Sequence, residues 1–337
     1  MVYYGTLGPA CADLNILRRM FRQGMTGIRL NLSHKSLESS KEWIYNYHAA
    51  ASKEGILNHE LLVDLQGPEL RIGRMNLNIE WQDHQEVYLD AIPLPRVMLP
   101  YLIEGQEMLI DDGKIAVVVK KRFGDEPEEI CCEVTRGGIV KQRKSLTLPG
   151  LTIPVPTLTE ADKENLKVAK EYGVTGVMLP FVRNKQDLQN LRAELKECGA
   201  EDIRIFAKLE NLEGVEMLPE LLEEADEIVI ARGDLGNDID LWKLPALQKM
   251  IAKKCREAGK KFMVVTQMLA TMEQRAIPTR AEVCDIFNAV LDGATSVMLT
   301  GETAVGRYPV EAMSYLIKTA EEAILYQKDA SQIQFRE

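Results

Sequence analysis

The stretch "IRIFAKLENLEGVEMLPELLEEADEIVIARGDLG" runs from Ile203 to Gly236. Two short apolar, β-rich runs, Ile203–Leu209 and Glu227–Ala231, enclose a helical segment whose Pro219 suits the first turn of "PELLEEA". Nearly continuous hydrophobic strands separated by a helix form the unit of a parallel sheet covered by helices. Each run ends in charge: Lys208 and Glu210 close the first, and Arg232 and Asp234 follow the second, beside Gly233 and Gly236.

The same unit recurs along the chain. Further runs are Val2–Thr6, Thr26–Leu30, Leu61–Leu65, Gly176–Pro180, Lys261–Val265 and Ser296–Thr300, which brings the strands to eight. Eight strand–helix units predict a (β/α)8 barrel. Helix starts are readable at Thr159-Glu160-Ala161-Asp162 and at Pro278-Thr279. After Thr279, the positions Val283, Ile286, Ala289 and Val290 make one apolar stripe, and Gly293 stops the helix. One region breaks the rhythm. From Ile72 to Lys144 the pattern turns to alternating, β-branched runs ("EVYLD", "IAVVVKK", "EICCEVT") with turn signals at Asp111-Asp112-Gly113 and Gly137-Gly138. The expectation is a barrel of residues 1–71 and 145–337, with residues 72–144 as a small all-β insert.

Composition bounds the rest. At 337 residues, the chain is expected to hold about two domains, or one barrel with an insert. A net charge of −10 argues against a nucleic-acid groove, which needs a basic surface, but leaves room for a small anionic ligand in a locally basic pocket. The six cysteines form no CxxC pair or Cys/His cluster, so neither structural zinc nor a disulfide framework is expected. No apolar run approaches the ~18 residues of a membrane span, and the start lacks the pattern of a secretory signal. A reducing cytoplasm is the expected compartment.

In such barrels the active site lies at the carboxyl ends of the strands. There the strands present Arg29, Asn31, Ser33 and His34 (strand two), Asp64, Glu69 and Arg71 (strand three), Arg183 (four), Lys208 and Glu210 (five), Arg232 and Asp234 (six), Thr266 and Gln267 (seven), and Thr300 and Glu302 (eight). Glu210 and Asp234 at close quarters would repel by ~4 kcal/mol at an effective dielectric of 20, so they call for a proton or a cation between them. Hard oxygen ligands of which the protein supplies few suit Mg2+ or Mn2+ that also holds substrate oxygens. Pairing of each acid with Lys208 or Arg232 is the competing reading. The "ARGDLG" turn offers N–H groups to a carboxylate. Asn31, Ser33 and Asp64 make an oxygen set for a monovalent cation, or Asn31 and Ser33 cap the next helix. Arg29 and Lys208 could both face a phosphoryl group.

These stretches resemble the pyruvate kinase family over nearly the whole chain: "TLGPA", "GMTGIRLNLSH", "VDLQGPELRIG", "LIDDGKI", "LTLPG", "AKLENLEGVE", "IVIARGDLG", "VVTQMLATM" and "PTRAEVCDIFNAVLDGATSVMLTGETAVGRYP", in order. The resemblance implies a (β/α)8 A domain with a β-rich B domain as a lid, and the transfer of a phosphoryl group from phosphoenolpyruvate to ADP, giving pyruvate and ATP. It implies that Lys208 stabilises the transferring phosphoryl group and that Arg29 contacts phosphate. It implies divalent-metal ligation by Glu210 and Asp234, and a K+ site at Asn31, Ser33, Asp64 and the carbonyl of Leu65. Substrate contacts fall on Arg232, Gly233, Asp234 and Thr266, with Thr266 delivering a proton to the enolate. Nucleotide-side positions are His34, Arg71, Lys144 and Asn31. "PTRAEV" lies where the family makes an A-domain contact, so a homodimer is an expectation.

The sequence departs from the family's pattern in several places. No counterpart of its C-terminal domain is expected, and the lid is short between Arg71 and Asp111. Ala12 and Asp13 follow "GPAC" where the family carries an arginine. Leu65 and Gln66 replace the threonine and lysine of "TKGPE", while Glu69 is retained; Pro180 and Thr300 replace serines. The first three departures, the C-terminal domain, the short lid and the arginine, bear on ADP binding and control more than on the enolpyruvate-binding half. The lost arginine and short lid motivate one rival to a kinase, a non-catalytic member that binds pyruvate- or oxalate-like ligands, and the likeness to Mg2+-dependent enolpyruvate-binding barrels leaves a second, a lyase or aldolase.

Overall fold

The computed structural model describes residues 1–332 apart from His34, Asp112 and Thr152. The nucleotide-side expectation at His34 lies outside the described residues. The chain divides into two compact units: residues 1–67, 158–232 and 242–337 form one, and residues 68–157 and 233–241 the other.

The first unit is a closed barrel of eight strands. In chain order they are Val2–Thr6, Gly27–Asn31, Glu60–Asp64, Gly176–Leu179, Arg204–Leu209, Glu227–Ala231, Lys261–Val265 and Ser296–Met298. Each pairs in parallel with its sequence neighbours, and the eighth closes on the first. Strand six is buried at every position, which is why the run "EIVIA" carries no alternation.

Register sets what faces the barrel axis. Tyr4, Leu62, Met178, Phe206, Val229 and Met263 pack together in the lumen. Phe206 fits because its neighbour is Gly176, where a Cβ would stand 2.5 Å from the ring. Two residues further along a strand, side chains point the same way. Thr6, Asp64 and Lys208 therefore follow Tyr4, Leu62 and Phe206 up the axis. Arg29 pairs with both Thr6 and Leu62, and Asn31 pairs with Asp64. The apolar lumen thus ends, at the carboxyl edge, in a layer of charge.

The expected helix starts carry capping boxes. Thr159 and Asp162 exchange bonds ahead of the helix Glu160–Val168, and Thr279 and Glu282 do so ahead of Arg280–Leu291. Pro219 stands in the first turn of Leu218–Glu224. Among the described residues, no helix is long and apolar enough to cross a membrane.

The second unit is antiparallel. Its six-stranded sheet runs Leu70–Arg71, Ser145–Thr147, Glu107–Ile110, Ile115–Arg122, Ile130–Arg136, Glu86–Tyr88, and a two-stranded sheet joins Ile79–Trp81 to Gly138–Val140. It has its own core around Trp81, Leu89, Met98, Val117 and Cys132. The division falls at 67/68 and 157/158 where the expectation stood at 71 and 145. Ser145–Thr147 is a strand of the insert, paired with Leu70–Arg71 and Glu107–Ile110. Residues 233–241 also group with the insert, where the Gly150 N–H donates to Asp238 Oδ1 at 3.3 Å.

Candidate active site

Four charged side chains meet at the carboxyl edge of barrel strands two, three and five. Asp64, the last residue of strand three, is 2% exposed. Its Oδ2 accepts from Arg29 Nη2 at 2.5 Å and Nε at 3.0 Å. Lys208 Nζ lies 3.1 Å from Asp64 Oδ2 and 2.8 Å from Glu210 Oε1. The other Glu210 oxygen accepts the Phe181 N–H at 2.8 Å. Two cations and two carboxylates thus balance in a nearly dry pocket, where an unpaired charge would be expensive.

The balance shows in the acidities. Burial acts to discharge the Lys208 ammonium, but Asp64 and Glu210 outweigh it and hold its pKa well above the usual lysine value, with Arg29 opposing. Burial likewise pushes the Asp64 carboxyl up, and Lys208 and Arg29 overcome that and hold it below the usual carboxylate range. At neutral pH Lys208 and Asp64 are therefore both ionised. The backbone at Phe181, which supplies the N–H to Glu210, is left-handed at φ 49°. A bulky residue in that region is an outlier of the kind that gathers at functional sites.

The expected residues sort into groups. Arg29, Asp64, Lys208 and Glu210 are brought together. Asn31 stands beside Asp64 in register, and its side-chain oxygen accepts the Ser33 N–H at 3.0 Å, closing a local turn instead of capping a helix. Gly233 and Asp234 lie in the short helix Arg232–Leu235 directly after strand six. Thr266 follows strand seven with φ 75°. In the insert, Arg71 and Lys144 come from paired strand ends, and each has an acid partner: Arg71 with Glu69 at 2.5 Å, and Lys144 with Asp111 at 2.8 Å. Burial alone would raise the Asp111 carboxyl, and Lys144 with Lys114 brings it below its ordinary value.

Arg232 was expected at the substrate, and in this structure each nitrogen of its guanidinium donates to a protein acceptor. Nη1 donates to Asp285 Oδ2 at 2.7 Å, Nη2 to the Thr266 carbonyl at 2.7 Å, and Nε to the Val265 carbonyl at 3.3 Å.

Two roles were not recognised from sequence, those of Asp162 and Asp285, and Glu302, presented at the end of strand eight, was given no role there. Asp162, read only as a helix cap, also accepts the Gln66 N–H at 2.8 Å and the Gly67 N–H at 3.0 Å, just beyond Asp64 and Leu65. Glu302 is 1% exposed and binds the N–H groups of Leu269 at 3.0 Å and Thr300 at 2.7 Å, joining the loops after strands seven and eight. Asp285 is the counter-ion of Arg232. The capping pattern was the one local signal for Asp162, its place at the end of strand eight the one for Glu302, and Asp285 carried none.

Among the described residues, no group of three or more His, Cys, Asp or Glu side chains gathers as a metal site. Glu210 and Asp234, the residues expected to ligate a divalent ion, are hard oxygen donors of the kind that Mg2+ takes. For a monovalent cation, Asn31, Ser33, Asp64 and the Leu65 carbonyl are all hard oxygen donors, although Asp64 faces two cations here.

A closed parallel barrel with a charge-balanced cluster at its carboxyl edge and an antiparallel β unit inserted after strand three defines a (β/α)8 barrel of the inserted-domain kind. Residues 2–313 match the family described as "Pyruvate kinase, barrel domain". The chain belongs to the pyruvate kinase family. It is 36% identical over 326 residues to a protein named pyruvate kinase from Geobacillus stearothermophilus, covering 94% of this chain and 55% of that protein. It is 37% identical to "Pyruvate kinase PKLR" of Homo sapiens, covering 96% of this chain and 60% of that protein. It is 38% identical to a pyruvate kinase of Corynebacterium efficiens, covering 94% of this chain and 69% of that protein. The chain thus spans little more than half the length of the first two of these relatives.

Proposed function

We propose that this chain carries the phosphotransfer for which its relatives are named: phosphoenolpyruvate and ADP give pyruvate and ATP, with Mg2+ (or Mn2+) and K+ as cofactors. The carrying observation is the buried Arg29–Asp64–Lys208–Glu210 tetrad in a barrel of this family. In the reaction, a terminal ADP oxygen attacks phosphorus, the enol P–O bond breaks, and the departing enolate takes a proton at its methylene carbon. Catalysis of such a transfer comes mainly from positioning and from positive charge around the phosphoryl oxygens. Lys208 and Arg29 supply two fixed cations, each oriented by Asp64. Thr266 supplies the hydroxyl for protonation of the enolate, and the turn at Gly233 supplies N–H groups for the substrate carboxylate. Mg2+ held by Glu210 and Asp234 would add charge neutralisation at the phosphoryl oxygens. On the nucleotide side the reading assigns Arg71, Lys144 and His34.

ATP formation coupled to luciferase, with Mg2+ and K+ present, tests the reading, with Lys208→Met as control. The expected result is turnover that the substitution lowers by at least about a hundredfold. No turnover in either protein would sink it. One observation favours a second reading, a member that binds ligand without turnover: both nucleotide-side cations of the insert are engaged by Glu69 and Asp111. Calorimetry in which oxalate binds with Mg2+ while ADP does not would decide for that alternative.

A further inference from the structure

We propose that Arg232 is a positioning residue: it holds the backbone of Thr266 in its left-handed conformation, and Asp285 holds Arg232. The inference rests on the reading of Thr266 as proton donor given above.

The observation that calls for explanation is strain. Thr266 and Gln267 stand at φ 75° and 55°, side by side at the end of strand seven. A β-branched residue there is a genuine outlier, because its Cβ crowds the following carbonyl. Such a conformation persists only where its surroundings over-determine it. The Thr266 hydroxyl has no hydrogen-bond partner among the described residues, so the backbone alone aims it.

The surroundings that hold it converge on one guanidinium. Arg232 leaves the end of strand six, which pairs with strand seven through Ala231 and Val265. Its Nε reaches the Val265 carbonyl at 3.3 Å and Nη2 the Thr266 carbonyl at 2.7 Å. Two successive carbonyls fixed by one rigid plane set the peptide between them, and with it the direction of the Thr266 side chain. Nη2 also meets Met268 Sδ at 2.9 Å, beyond the left-handed pair, so the plane spans the whole turn. The opposite edge is locked. Nη1 donates to Asp285 Oδ1 at 2.8 Å and Oδ2 at 2.7 Å, and approaches Gln248 Oε1 at 3.5 Å. Asp285 lies on the helix Arg280–Leu291 and Gln248 on Leu244–Glu257. The outer helices thus fix the arginine, and the arginine fixes the catalytic turn. Lysine cannot replace it, because a single ammonium cannot bridge two carbonyls and a carboxylate in one plane.

The test uses the full chain with Arg232→Lys, Asp285→Asn, Thr266→Ala and the Arg232→Lys/Thr266→Ala double variant. In the ligand-free protein, amide hydrogen exchange at Thr266–Met268 is expected to speed up by about tenfold in Arg232→Lys and Asp285→Asn, as a local opening with the barrel strands unchanged. Unchanged exchange there overturns the proposal, as does exchange that rises across the whole barrel. In the presence of Mg2+, Arg232→Lys is expected to bind oxalate within about twofold of the parent while its kcat falls by about a hundredfold, the cost of a misplaced group. Oxalate binding weakened in step with kcat makes Arg232 a substrate ligand and overturns the proposal. The third reading is exchange of the pyruvate methyl protons with D2O, followed by NMR. There Arg232→Lys should add nothing to Thr266→Ala, and additive losses also count against it. If the parent shows no turnover, the Thr266 reading fails, and the amide-exchange arm still judges the hold of Arg232 on the turn.

Discussion

Removing either Lys208 or Asp64 leaves the tetrad with an odd charge, and removing both restores neutrality. Lys208→Met leaves Glu210, whose side chain is 1% exposed, with the Phe181 N–H as its remaining donor. Asp64→Asn leaves Arg29 and Lys208 facing one another with Glu210 as the only anion. Across the 3.1 Å between Lys208 and Asp64, Coulomb's law gives about 5 kcal/mol at an effective dielectric of 20, before the return of hydration is subtracted. Breaking a buried pair by removing one partner typically costs ~3–5 kcal/mol. Each single variant should therefore melt roughly 10 °C below the parent at neutral pH. In the double variant Arg29 and Glu210 remain and balance. The double loss should fall short of the sum of the singles by about 2 kcal/mol, as expected for residues in one network. Urea denaturation of the four proteins at pH 7 measures the cycle. Losses that add within ~0.5 kcal/mol would falsify the charge-balance argument. The acid limb gives a second check. The folded-state pKa of Asp64 lies below its unfolded value, so its stabilisation is complete above about pH 4 and is lost as pH falls through the folded value. Asp64→Asn should lack that component of the acid transition.

Asp162 is 1% exposed and binds both crossings of the chain between barrel and insert, accepting from Gln66, Gly67 and Thr159. Asp162→Ala orphans these donors and should cost about 3 kcal/mol, with limited proteolysis cutting first near residues 66–68 and 157–159; an unchanged cleavage order refutes the pinning role. At Gly67, φ is 58° and a Cβ would lie 2.6 Å from Pro180 Cγ. Gly67→Ala should lower stability by at least ~1 kcal/mol in thermal melts, and Pro180→Ala should recover part of that loss. On the outer layer, His48 Nδ1 and His59 Nε2 stand 2.8 Å apart. Burial, and then the neighbouring His48, depress the His59 pKa. A histidine with a depressed folded pKa contributes stability that is complete above about pH 6.5 and is lost as pH falls toward the folded value. His59→Gln should flatten the stability profile in that window, and an unchanged slope assigns it to other groups.

What could be read without coordinates follows from what is local. Val2–Thr6, Glu227–Ala231 and Lys261–Val265 form strands with the bounds their apolar runs suggest, because a strand buried on both faces writes its length into composition. Ser145–Thr147 escaped notice because three residues are too few to show alternation. At the carboxyl edge, residue type was legible and pairing was not. Asp64 suited a cation site by chemistry, but register carries Arg29 and Lys208 to it from two other strands. Arg232 shows where strand periodicity gives out. It is the first residue past strand six, so alternation no longer aims its side chain, and its partner Asp285 lies 53 residues on. Asp162 is the converse case. The same carboxylate that announces a helix start through Thr159 takes its other donors from 95 and 96 residues upstream. A cap signal therefore states only that an acid is needed at that position. Which further donors converge on it is decided by the register of strand three, where the charged layer of the barrel also begins.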